Sequence, residues 1–276
     1  MTSPLPPIAF ERHPARRGIA WLREAAVMLA AARLRWLLLL LAYYAIQWVA
    51  AFVPAVGPLV MMIGRPVFTV GFLAAAWTQQ RGGVPQIRHL FRGFRTDLRA
   101  LLPIGVVLVA GTIFAVLATA LVDGGALLDL ISAGGRPDEA IVASPRVEAA
   151  MLFGIVCALP TLLAVWFAPA LVVFQDCGAR RALATSFRAA MANWRPLAVY
   201  GLLLFFYGAV LPGMAIAVIA VVAPSEAALY VIALFIGIPY YLMFSAVQAI
   251  SDYVAYRDIF HPGEGAPPQR PEPGTP

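Results

Sequence analysis

"VPQIRHLFRGFRTDLRALLPIGVVLVAGTIFAVLATALVD", residues 84–123, passes from a basic stretch into an apolar run with no charge between positions 101 and 122. A run of that length, at about 1.5 Å per helical residue, crosses ~30 Å of hydrocarbon. It is read as a membrane span. Ahead of it, Arg88, Arg92, Arg95 and Arg99 are spaced 4, 3 and 4, which places them on one narrow stripe of an α-helix. Ile87, Leu90, Phe91, Phe94 and Leu98 fall on a separate face. That pattern predicts a basic amphipathic helix lying in the interface plane and leading directly into the span.

The pattern recurs. In "GARRALATSFRAAMANWRP", residues 178–196, Leu183, Phe187, Met191 and Trp194 make one face, with Arg181, Arg188 and Arg195 along its flank. In "RRGIAWLREAAVMLAAARLRW", residues 16–36, the apolar face is Trp21, Leu22, Ala25, Leu29 and Ala32. Each version precedes a long apolar run, so the expected module is interfacial basic helix, span, outer turn, span, present three times.

Six apolar runs qualify as spans: about 34–54, 58–78, 101–122, 150–174, 197–222 and 227–250. The first two are joined by "PAVGP" and the last two by "APSEA", both too short for anything but a hairpin turn. The chain of 276 residues is 62% hydrophobic and 12% charged, against about half and a quarter for a soluble domain. Its mean hydropathy is +0.82. The fold class is therefore an all-α integral membrane protein of six transmembrane helices, arranged as three outward-pointing hairpins in residues 16–260.

Arginine supplies the orientation. There are twenty arginines and no lysine. Segments 1–35, 79–99, 175–196 and 251–276 carry six, five, four and two, whereas the loops on the opposite side hold only Arg136 and Arg146. A bias of 17 to 2 places the basic side, with both termini, in the cytoplasm of a bacterial inner membrane. The formal charge of +6 then implies anionic lipid as partner. Nucleic acid is disfavoured, because the interleaved aromatics face the membrane and are not free to stack on bases. Protein partners are not legible.

Residues 1–15 and 261–276 are expected to be disordered: the first fourteen residues hold four prolines and the last fifteen hold six. The N-terminus lacks the short apolar core of a signal peptide. Cys157 and Cys177, twenty residues apart along one predicted span, are ~30 Å apart in a helix and cannot bridge. No His or Cys spacing suits a metal, and no nucleophile elbow, phosphate loop or catalytic carboxylate pair is present. No cofactor and no enzymatic activity are expected, and an intramembrane enzyme acting on lipid is the least supported class.

Arg65, in "MMIGRPVF", is the one formal charge well inside a span. Such a charge is a functional candidate by default. At this depth it could equally snorkel to the outer interface or mark a local break at Gly64-Arg65-Pro66. Pro160, Pro169, Pro212 and Pro239 should kink the fourth, fifth and sixth spans. A transporter or channel for a small or lipidic molecule is the alternative function. A polar cavity joining Arg65 to Gln47 or Gln248 would favour it.

Residues 162–204, "LLAVWFAPALVVFQDCGARRALATSFRAAMANWRPLAVYGLLL", together with "SDYVAYRDIF", residues 251–260, resemble a family of uncharacterised six-span proteobacterial inner-membrane proteins. That family is distantly similar to the membrane domain of some glycerophosphodiester phosphodiesterases. The resemblance implies a six-helix membrane protein and no activity. In the final stretch, Asp252, Arg257 and Asp258 are expected to fold beneath the bundle, with Asp252 or Asp258 contacting an arginine of 88–99 or 180–195.

Overall fold

A computed structural model of the chain describes residues 8–133, 144–222 and 225–261. Part of the 123–149 loop and the proline-rich tail lie outside the described residues. Everything regular among those described is helical: α1 (Arg17–Ala31), α2 (Arg33–Ala51), α3 (Val56–Gln80), a 3₁₀ segment (Ile87–Arg95), α4 (Leu98–Asp123), α5 (Ala126–Ala133), α6 (Pro145–Trp166), α7 (Ala168–Gln175), α8 (Ala179–Ala192), α9 (Trp194–Phe205), α10 (Leu211–Val222), α11 (Glu226–Ile232) and α12 (Ile238–Phe260). Short π-helical stretches, Phe206–Val210 and Ala233–Gly237, join α9 to α10 and α11 to α12. Six continuous helical runs are long and apolar enough to cross a membrane: Arg33–Ala51, Val56–Gln80, Leu98–Asp123, Pro145–Gln175, Trp194–Val221 and Ala227–Phe260. This is a multi-pass membrane protein.

The chain divides into two compact units, one of Met1–Trp48, Phe68–Gly93 and Ala189–Pro276, the other of Val49–Val67 and Phe94–Arg188. In the first, α1 packs against α9 and α12. Its inward face is Gly18, Trp21, Ala25 and Leu29, so the apolar stripe expected to lie at the membrane interface packs against protein instead. Trp21 meets the Tyr200 ring edge-on at 6.0 Å between centroids. Residues 8–15 are not loose, as expected, but pinned. The Glu11 N–H donates to the Ile259 carbonyl at 2.8 Å, and Phe10 packs edge-on against Phe260. The N-terminal segment thus lies beside the end of α12, which is what an even number of crossings requires.

In the second unit α4 and α6 form the largest helix pair. Gly111 faces Thr161 while Gly154 faces Thr119 and Ala115, so residue numbers rise on one helix as they fall on the other and the pair is antiparallel. A Cβ on Gly154 would sit 2.8 Å from the Thr119 methyl. Small residues permit this close approach, the usual basis of helix association in lipid, where burial alone offers no driving force. The turn between α2 and α3 is tight enough to hold Ala55 at φ 61°, a left-handed conformation unusual for a residue with a side chain.

The proline expectations resolve individually. Helix α3 runs unbroken through Gly64-Arg65-Pro66, and α6 through Pro160. The fourth span does break at Phe167, two residues before Pro169. There the Ser186 hydroxyl enters the ladder, donating to the Leu163 carbonyl at 2.8 Å and accepting from the Phe167 N–H at 3.0 Å. Those two backbone groups would otherwise bond to each other, so the hydroxyl wedges the turn open. Pro212 and Pro239 each follow a π-helical stretch by two residues. In π register the Tyr207 carbonyl would point at residue 212, a proline with no N–H; the Tyr240 hydroxyl donates to it instead.

Candidate functional site: the arginine-rich segments

The basic segment before α4 differs from its expected form. Residues 87–95 are a 3₁₀ helix, not an α-helix, and Asp97 ends it by capping α4 with hydrogen bonds from the Arg99 and Ala100 N–H groups at 3.0 and 3.3 Å. Threonine-aspartate ahead of an apolar run is a cap signal legible in the sequence. With about three residues per turn, Leu90 and Gly93 share the buried column, while Phe91 and Phe94 form an exposed one and Arg92 and Arg95 align on a third side. Arg88 leaves the expected stripe for the Phe91 column, and Arg99 belongs to α4. All four arginines are exposed.

The 3₁₀ segment is tied down in the first unit through Leu90 and His89. A Cβ on Gly71 of α3 would lie 2.7 Å from Leu90 Cα, so only glycine lets the segment sit there. The buried His89 accepts the Gln86 N–H at Nδ1, 3.0 Å. Burial, with Arg88 beside it, pushes its pKa below the ordinary value, which keeps the imidazole neutral.

Helix α8 forms as expected, and its seat is one the apolar stripe did not point to. Ala182, Thr185, Ser186, Ala189, Ala190 and Asn193 are buried. Phe187, Met191 and Trp194 are 37%, 49% and 58% exposed. The apolar face read from the sequence therefore points away from the protein, and small residues make the seat. Arg188 and Arg195 are exposed beside the large side chains, Arg181 is half-buried, and the Arg195 guanidinium lies 5.5 Å from the Trp194 ring centre. Cys177, just before α8, is buried with its thiol toward the Leu171 carbonyl, and burial raises its pKa, so it is a poor nucleophile.

Asp258, near the end of α12, finds an arginine other than those expected. Asp258 pairs with Arg17 of α1, Oδ2 to Nε at 2.5 Å and Oδ1 to Nη2 at 2.7 Å, and also accepts from Trp21 Nε1 at 2.9 Å. The hydrogen bond to Asp258 holds the Arg17 guanidinium more firmly protonated than usual. Arg257, only 5% exposed, pairs with Glu24 at 2.7 Å. Asp252 accepts from the Tyr200 hydroxyl at 3.1 Å. For Asp258 the ion pair comes from α1, which packs along α12, and not from the arginines anticipated for it. Sequence reading missed Asn193. This buried side chain accepts from the His13 N–H at 2.8 Å and donates to the Glu11 carbonyl at 2.8 Å, clamping the N-terminal segment.

Within the spans, Arg65 is exposed on α3. In the first unit Tyr44 donates to Ser245 at 2.9 Å, Gln47 to the Tyr43 hydroxyl at 2.7 Å, and Tyr200 shares a hydrogen bond with Ser251 at 2.7 Å. Among the described residues no buried side-chain nitrogen or oxygen lacks a partner. No family model, curated protein or solved structure matches the chain.

Proposed function

We propose that this is a non-enzymatic protein of the bacterial inner membrane, with both termini cytoplasmic, that organises anionic lipid or a partner protein at the inner leaflet through its arginine-rich segments. One observation carries the reading: on both the 3₁₀ segment and α8, large apolar side chains and arginines are exposed together, and on α8 the residues that face the protein are small. A soluble surface would bury Phe91, Phe94, Phe187 and Trp194. At a membrane interface those rings enter the acyl boundary and the neighbouring guanidinium groups reach phosphate, each contributing about 1 kcal/mol at an anionic surface. The mutual pairing of polar groups within the spans favours this over transport, since a substrate path needs polar groups to spare.

The test is native mass spectrometry of gently extracted protein. Replacing Arg92, Arg95 and Arg188 together with glutamine should remove retained anionic lipid while leaving zwitterionic lipid unchanged. Anionic lipid retained at the wild-type level contradicts the proposal.

A further inference from the structure

The first unit contains a groove of about 1370 Å³ that the arginine pattern did not single out. One wall is the end of α1 and its junction with α2, from Glu24 to Arg35; the other is the end of α3 with the turn that follows, from Trp77 to Pro85; Tyr253 and Arg257 of α12 form its base. The turn is fixed by a glycine-terminated helix end, with the Gly82 N–H on the Gln79 carbonyl at 3.0 Å, the Gly83 N–H on Thr78 at 2.9 Å, and Gly82 at φ +80°.

Most polar groups lining the groove are committed. Gln79 accepts from Trp36 Nε1 and donates to the Met28 carbonyl, both at 2.6 Å. Gln80 accepts from the Tyr253 hydroxyl at 2.5 Å, and Glu24 is held by Arg257. Two cations remain to define the site. Arg35 is exposed and makes no ion pair among the described residues. Arg81 lies with its guanidinium carbon 4.3 Å from the Trp77 ring centre, an arrangement that aims the guanidinium without neutralising it. Three arginines face one glutamate across the groove, so it carries a net positive charge. Its rim is apolar: Val27 is 70% exposed and Val84 is also exposed. Arg35 lies in the first turn of α2 and Arg81 at the end of α3, both at the ends of apolar runs.

We propose that this groove is a binding site for the headgroup of an anionic phospholipid, whose phosphate is shared by Arg35 and the Trp77-stacked Arg81, with the glycerol and upper chains against Val27 and Val84. The proposal rests on the membrane orientation given above but not on the lipid role of Arg92, Arg95 and Arg188. Guanidinium is the suited group because its planar fork matches phosphate oxygens, and the exposed valines are what distinguish a lipid from a soluble phosphate.

The experiment titrates full-length protein in detergent with phosphatidylglycerol, phosphatidylcholine or glycerol 3-phosphate and reads bound ligand by native mass spectrometry. Phosphatidylglycerol should bind in preference to phosphatidylcholine and should resist competition by glycerol 3-phosphate. Its affinity should fall about tenfold or more in the Arg35→Gln/Arg81→Gln variant. Arg81→Gln alone, which alters one exposed side chain past a helix end, should show a smaller loss in the same direction and serves if the double variant does not fold. Undiminished phosphatidylglycerol binding in these variants overturns the proposal, as does equal binding of phosphatidylcholine. Displacement by glycerol 3-phosphate overturns it in favour of a soluble anion. Loss of lipid on replacing Arg92, Arg95 and Arg188, with none on replacing Arg35 and Arg81, leaves the proposed function standing and removes the groove.

Discussion

Asp258 accepts three hydrogen bonds from two residues of α1, so its removal strands a guanidinium and an indole N–H that are both partly withdrawn from water. Asp258→Ala should lower stability by about 2–3 kcal/mol, read as a drop in thermal midpoint in detergent. Asp252→Ala should cost less, since Tyr200 keeps its bond to Ser251; equal losses would contradict the assigned partners. His89 gives a pH prediction. Its pKa is lowered on folding, so the folded protein binds fewer protons than the unfolded chain as the pH falls through and below about 6.5. Its contribution is complete above that value and is lost on acidification. Between pH 7 and 5 the wild type should lose more thermal stability than His89→Asn, whose amide oxygen can still accept from Gln86. Parallel losses would mean that the histidine does not titrate against folding.

At the scale of elements, the spans were legible because hydropathy is a sum over twenty residues and tolerates local error. The faces were harder to read. Periodicity finds an apolar stripe, but in a membrane protein large apolar residues can face lipid while alanine, serine and glycine face protein, as α8 does. For α1 the interfacial reading fails: its apolar face, with Trp21, Ala25 and Leu29, enters a protein core, because α9 and α12 pack against it. The 3₁₀ form of 87–95 was hidden for a different reason. Spacings of 3 and 4 fit an α-helix, and the close seat of Leu90 against Gly71 is a tertiary contact that those spacings do not encode. The partners of Asp258 depend on long-range packing that no local pattern encodes. One element-scale prediction concerns the break in the fourth span. Ser186→Ala leaves the Phe167 N–H and Leu163 carbonyl facing a methyl group and should cost about 1–3 kcal/mol. Ser186→Thr, which keeps the hydroxyl, should retain more of that stability in the same melting assay; a harmless alanine would show that the bend at Phe167 holds without the hydroxyl.

For the whole molecule, six apolar runs and contact between residues 10–17 and 258–260 both require the two ends of the chain to share one side of the membrane. The proposed function takes that side, from arginine placement, to be the cytoplasmic one. The most direct measurement is labelling of single cysteines by a membrane-impermeant maleimide in intact spheroplasts, with Cys157 and Cys177 replaced by serine. Asp129→Cys should label at once, whereas Arg12→Cys and Arg92→Cys should label only after the membrane is permeabilised. Labelling of positions 12 and 92 from outside, with position 129 protected, would contradict the orientation on which the proposed role depends.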